Sequence, residues 1–142
     1  MKRIAGIDYG KVRIGFALSD PMRIIASPIK ALQAKKTLKE TAELILSELK
    51  AHEPVEKIVI GLPLLMNGKE SPGSLEVREL AKHLGELTEK EIVLWDERLT
   101  TAQVERTLKE AEMSRKKRTK YVDAMAASAI LQNYLDSNQT YG

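Results

Sequence analysis

The sequence predicts an α/β fold: a mixed five-stranded sheet in the order 3-2-1-4-5, with helices on both faces. Three observations carry this expectation. Short strand-like runs at 4–8, 13–19 and 24–29 follow one another too closely for anything but antiparallel pairing. Two more apolar runs, 56–61 and 91–96, each follow an amphipathic helical stretch, the pattern of buried parallel strands joined by helical crossovers. The final helical stretch, 119–136, carries Ala124, Ala126, Ala127 and Ala129, small residues that allow close packing on a sheet.

Taken in order, residues 4–7 form an apolar run that ends on Asp8. Gly10 permits a tight turn, and 13–19 returns as the second strand. Pro28 makes the third strand, 24–29, an edge or a strand end. A helix is expected over 37–52, with Thr37 and Glu40 as a capping box and Leu38, Ala42, Ile45 and Leu49 on one face. Strand four, 56–61, runs into a loop over 61–70. Ser71 and Pro72 then start a helix reaching to about 88, with Val77, Leu80, Ala81 and Leu84 inward and Gly85 as a weak point. Strand five, 91–96, ends on Asp96 and is followed by Glu97. Thr100 with Gln103 can cap a helix to about 111, with Val104 and Leu108 inward; a basic loop and the last helix complete the chain. The 142 residues suit a single domain, with no repeat and no linker.

Composition narrows the chemistry. Without cysteine there is no disulfide, thiolate zinc site or cysteine nucleophile. The only histidines, His52 and His83, fall on amphipathic helices and read as surface residues. A metal would therefore be held by carboxylates, which points to Mg²⁺ or Mn²⁺. No segment is apolar enough to span a bilayer, and the first residues lead straight into a strand rather than resembling a signal peptide, so a cytoplasmic protein without a membrane partner is expected. The net charge of +3 is modest, but its distribution is not even. Arg115, Lys116, Lys117, Arg118 and Lys120 form one basic run, and Lys11 and Arg13 flank Asp8. Such a cluster suits a polyanion; a solvated loop is the alternative.

In an open α/β sheet, ligands bind beyond the carboxyl ends of the strands, where the connections diverge. Strand one is that point here. Asp8 ends it, and Asp96 and Glu97 end a parallel strand on the same rim. Either Asp8 begins a turn, or its charge beside an apolar run is offset by a cation. Asp123, near the start of the last helix, either complements the helix dipole or is held close to Asp8 by a sheet-facing surface that includes Val122, Ala126 and Ala127.

Four blocks then fall in order: Gly6-Ile-Asp-Tyr-Gly10 with Arg13-Ile-Gly15, Gly61-Leu-Pro63 with Asn67-Gly68, Asp96-Glu-Arg-Leu-Thr-Thr101, and Val122-Asp-Ala-Met-Ala-Ala127. Over about 2–135 the chain resembles the YqgF or RuvX family, RNase H-like proteins related in fold to the resolvase RuvC and described as candidate pre-16S rRNA nucleases. Leu65 stands where the family pattern usually has Asn. The resemblance implies an RNase H-like fold over 1–142 and a metal-dependent phosphodiester hydrolase acting in rRNA maturation and ribosome biogenesis. Asp8, Asp96, Glu97 and Asp123 would form the catalytic set, with Asp8 bridging two Mg²⁺ ions.

Alternation along strand five puts Ile92, Leu94 and Asp96 on one face and Val93, Trp95 and Glu97 on the other. Glu97, at the rim and one methylene longer, is assigned to the metal with Asp8 and Asp123, and Asp96 is assigned a supporting role beside Arg98. Arg98 holds a phosphate or neutralises the acids. Lys11, Arg13, Lys69 and the basic run 115–120 are expected to contact nucleic acid, either precursor rRNA or structured DNA. Gly61 is expected to turn the chain off strand four and Pro63 to stiffen the loop. Trp95 reads as core, and Thr100 and Thr101 as caps. Three other readings stand beside this one: a phosphate loop of the actin-like ATPase kind at Asp8-x-Gly10, which would need a second domain; a non-catalytic assembly factor; and a junction resolvase. The oligomeric state is left open.

Overall fold

A computed structural model describes residues 2–99 and 115–138 of the chain. Its five strands are β1 (Arg3–Asp8), β2 (Arg13–Ser19), β3 (Ala26–Gln33), β4 (Val55–Leu62) and β5 (Glu91–Asp96); its helices are α1 (Leu38–Lys50), α2 (Pro72–Leu87) and α3 (Arg115–Ser137). The sheet order is β3-β2-β1-β4-β5, as expected. β1, β2 and β3 form an antiparallel meander, while β4 lies parallel to β1 and β5 parallel to β4.

Strand alternation divides the core in two. Ala5, Ile7, Ile14, Phe16, Leu18, Ile58, Ile60 and Leu62 face α1 and α2, where Ala42, Ile45, Leu49, Val77, Leu80 and Leu84 are buried against them. Ile4, Ala17 and Val59 face α3 and meet Ala126, Ala127, Ile130, Leu131, Tyr134 and Leu135. Trp95 packs with this second group, edge-on to Tyr134 at 5.3 Å, and its indole N–H donates to Asn133 Oδ1 at 2.8 Å. The α3 face is the closer one, because Gly6 leaves room for Leu131: a Cβ on Gly6 would stand 2.7 Å from Leu131 Cβ.

Three local expectations are corrected. β3 begins at Ala26 rather than 24, because Asp20 Oδ1 accepts the backbone N–H groups of Ile24 and Ile25 at 2.7 and 2.9 Å. That short-range capture outcompetes the strand preference of two isoleucines and places Arg23 at φ 60°. Gln132 of α3 then fixes the strand start, accepting from Ala26 N and donating to Ile24 O. Second, the basic run is not a loop: α3 is already helical at Arg115, as befits Lys and Arg without an intervening Gly or Pro. Third, His52 and His83 are half-buried rather than surface residues, each beside a glutamate one turn earlier, Glu48 and Glu79. The helix expected over 100–111, with Thr100 and Thr101, lies outside the described residues, as do the side chains of 115–121.

Candidate active site

Asp8 is the last residue of β1 and is 4% exposed; Glu97 is the first residue beyond β5, in the short 3₁₀ turn Glu97–Leu99, and is 3% exposed. Both stand at carboxyl ends of parallel strands on one rim. Asp8 has the strand parity of Ile4 and Gly6, so it faces α3.

Gly61 explains how Glu97 reaches the same side. A Cβ there would meet Glu97 Oε1 at 2.6 Å and Ile130 Cδ1 at 2.5 Å. Gly61 is therefore not the turn residue expected: it lies within β4 and clears the space in which the Glu97 side chain lies down under α3.

Asp123 is brought in from the opposite layer. It lies about two turns inside α3, since the helix starts at Arg115, so the N-terminal dipole reading does not apply. Its position is set by β2. Gly15 pairs directly with Asp8, and a Cβ on Gly15 would stand 1.9 Å from the Asp123 carbonyl oxygen. Only a bare Cα admits the helix backbone here. The Asp123 carboxylate accepts from Arg13 Nε at 3.2 Å. Asp8, Arg13 and Asp123 line one open cleft of about 240 Å³ together with Tyr9, Gly10, Lys11 and Val12. Two larger clefts, of about 410 and 470 Å³, are lined by none of these residues.

Asp96 goes elsewhere. Arg98 grips it bidentately, Nη2 to Oδ2 at 2.7 Å and Nε to Oδ1 at 3.1 Å, and its carboxylate also accepts the Arg98 backbone N–H at 2.9 Å. The Arg98 side chain holds the Asp96 carboxyl below the usual range. The same guanidinium donates from Nη1 to Met66 O at 3.1 Å and lies against Gly68, whose φ is 86°. Arg98 thus fastens the β4–α2 loop to the end of β5. Of its two expected roles, neutralising an acid is the one it performs in this arrangement. Lys69 is exposed on that loop, its backbone N–H bound by Asn67 Oδ1 at 2.9 Å. Lys11 is mostly exposed, 3.7 Å from Glu76 Oε1.

Sequence reading missed Tyr9 and Glu76. Tyr9 lies beside Glu76 of α2, and burial together with that carboxylate raises the pKa of its hydroxyl. Glu76, which also faces Lys11 at 3.7 Å, sets α2 beside the turn that follows Asp8. A tyrosine following a rim aspartate was visible in the sequence; its helical partner, far along the chain, was not.

In donor chemistry the site fits a hard divalent cation. Asp8 and Glu97 are buried carboxylates, whose charge favours a nearby cation, and Gly61 gives the Glu97 side chain the space it occupies. Among the described residues, however, no three acidic or histidine side chains converge closely enough to hold a metal ion. Asp123 is at the same cleft but turned to Arg13.

Residues 2–137 match the family model for RuvX, described as Holliday junction resolvase. The chain is 48% identical over 140 residues to the protein named "Putative pre-16S rRNA nuclease" of Protochlamydia amoebophila, covering 95% of this chain and 93% of that one. It is 47% identical to the protein of the same name from Syntrophomonas wolfei, covering 94% of each. Its fold is similar to that of Thermus thermophilus RuvC in complex with Holliday junction substrate, with TM-score 0.54, 13% identity and coverage of 96% and 95%. It is also similar to the fowlpox virus Holliday junction resolvase, with TM-score 0.56, 16% identity and coverage of 96% and 99%. These two likenesses establish an RNase H-like fold.

Proposed function

Starting from the fact that this chain belongs to the RuvX family, we propose that it is a metal-dependent nuclease that hydrolyses phosphodiester bonds in precursor 16S rRNA, a step of ribosome biogenesis in the cytoplasm. The observation that carries this reading is the burial of Asp8 and Glu97 on one face of one rim, beside a helix that presents Asp123 to the same cleft as Asp8. The names of the relatives supply the substrate, and the whole of 1–142 acts as one nuclease domain.

Asp8, Glu97 and Asp123 would hold Mg²⁺ or Mn²⁺, which when bound activates a water and stabilises the departing oxygen. Asp96 acts indirectly, by fixing Arg98 and through it the β4–α2 loop. Lys11 and Lys69 lie exposed on the rim loops, where they can contact backbone phosphates. Arg115, Lys116, Lys117, Arg118 and Lys120 open the helix that carries Asp123; at about 1.5 Å per residue, Lys120 is only about 4.5 Å along the axis from it. That spacing supports a shared role in drawing a polyanion to the site.

A second reading, a junction resolvase, is favoured by the description of the family model. The purified chain with Mn²⁺, given a precursor 16S fragment, a four-way DNA junction and a linear duplex, separates the two. Cleavage of the RNA at discrete positions is expected. Cleavage of the junction alone would move the function to the second reading, and binding without cleavage of any substrate would leave a non-catalytic assembly factor.

A further inference from the structure

We propose that Arg13 is a built-in counter-ion for Asp123 which the site gives up when it takes its metal, and that a nucleic-acid phosphate then becomes the partner of Arg13. This rests on the metal-dependent reading above.

Arg13 opens β2 just beyond the Gly10 turn, on the strand face it shares with Gly15 and Ala17, which is the α3 face. The backbone of Asp123 is already at closest approach to β2, with the Asp123 carbonyl seated on the bare Cα of Gly15. From that position a rotation of the Asp123 side chain is enough to exchange the partner of its carboxylate. Asp8 is the strand partner of Gly15, so Asp8 and Asp123 flank one glycine and line one cleft. With the guanidinium at 3.2 Å from Asp123, the described acids do not converge into a set of three. Arg13 supplies a positive charge at a place where the acids call for a cation.

The pair is suited to exchange. Its side chains are 34% and 21% exposed, so water can screen and solvate either partner when they separate. A divalent cation joined to Asp8, Glu97 and Asp123 would repel the guanidinium toward the open mouth of the cleft. There a planar guanidinium matches a phosphate, which it can bind with two parallel hydrogen bonds. Each ligand then removes an obstacle to the other: metal frees Arg13 for phosphate, and phosphate draws Arg13 away from Asp123. Linkage requires both affinities to rise by the same factor.

Mn²⁺ binding to the full chain, read from the electron paramagnetic resonance signal of free Mn²⁺, tests this with and without a nuclease-resistant 2′-O-methyl RNA duplex. In the wild type the RNA should tighten Mn²⁺ binding by about fivefold or more, within the usual range of such couplings. Arg13→Gln should bind Mn²⁺ more tightly than wild type without RNA and lose most of the effect of RNA. Arg13→Lys, which keeps the charge, should retain the coupling. Equal Mn²⁺ affinity in wild type and Arg13→Gln, or undiminished coupling in Arg13→Gln, overturns the exchange while leaving the metal site standing. Absence of Mn²⁺ binding in both overturns the metal reading and the exchange with it. Circular dichroism of each variant confirms that these comparisons are between folded proteins.

Discussion

Gly15 and Asp123 stand so close that a Cβ on the glycine would lie 1.9 Å from the Asp123 carbonyl oxygen. The contact joins the strand next to Asp8 to the helix that brings the third acid, across more than a hundred residues of chain. Backbone meets backbone here, so neither side can yield by rotating a side chain.

Gly15→Ala should therefore lift α3 from β2. Overpacking of this kind costs about 1–3 kcal/mol, and displacement of Asp123 by about 1 Å should lower cleavage roughly 100-fold. Gly85 provides the control: a Cβ there meets nothing within 4 Å, and the residue sits inside α2. Gly85→Ala should raise stability by about 0.5–1 kcal/mol and leave cleavage unchanged. Denaturant unfolding and initial rates on the same preparations measure both effects.

Adjacent acids on opposite strand faces should respond differently to loss of charge. Glu97→Gln should abolish most activity, and added Mn²⁺ should restore it poorly. Asp96→Asn should keep a near-normal Mn²⁺ midpoint with a lower maximum rate, because it loosens Arg98 rather than a ligand. Mn²⁺ titrations of the two variants decide the matter; the reverse pattern would move the metal to Asp96.

The Asp96–Arg98 pair also sets a pH dependence. Arg98 lowers the Asp96 pKa in the folded chain, so the pair stabilises the fold above the unfolded carboxyl pKa of about 4. That stabilisation fades as pH falls through the lowered folded value. Wild type should exceed Asp96→Asn in stability at neutral pH, and the gap should close below about pH 4. A gap that persists into strong acid would mean that the pair is not its source. Urea unfolding at several pH values gives the comparison.

For the basic run, neutralising two of Arg115, Lys116, Lys117, Arg118 and Lys120 should weaken RNA binding with little dependence on sequence. The slope of log affinity against log salt should flatten by roughly one to two units. An unchanged slope would show that these side chains face solvent.

Much of this arrangement is legible in the sequence where the signal is periodic. The apolar parallel runs of β4 and β5, the bounds of β2 and the inward faces of α1 and α2 follow from apolar spacing, and the sheet order follows from the connections between them, although β5, expected to be buried, is a half-exposed edge strand. The rim position of Asp8 is readable for the same reason. What escapes is contact between distant residues. Gly61 reads as a turn glycine because nothing nearby in sequence shows that Glu97 and Ile130 need its missing side chain. Arg13 reads as a phosphate contact because its partner, Asp123, lies 110 positions away. The start of β3 is lost to a side-chain effect, Asp20 capturing two N–H groups, which apolar pattern does not register.

The most direct test of a metal-dependent site built around Asp8 is cleavage of a precursor 16S fragment by wild type and Asp8→Asn, in Mn²⁺ and then in excess EDTA, with RNA affinity measured alongside. Wild type should cleave in Mn²⁺ and stop in EDTA. Asp8→Asn should fail to cleave at any Mn²⁺ concentration while binding the RNA nearly as well, since the change removes a metal ligand and no phosphate contact. Cleavage that persists in EDTA, or that survives in Asp8→Asn, would contradict it.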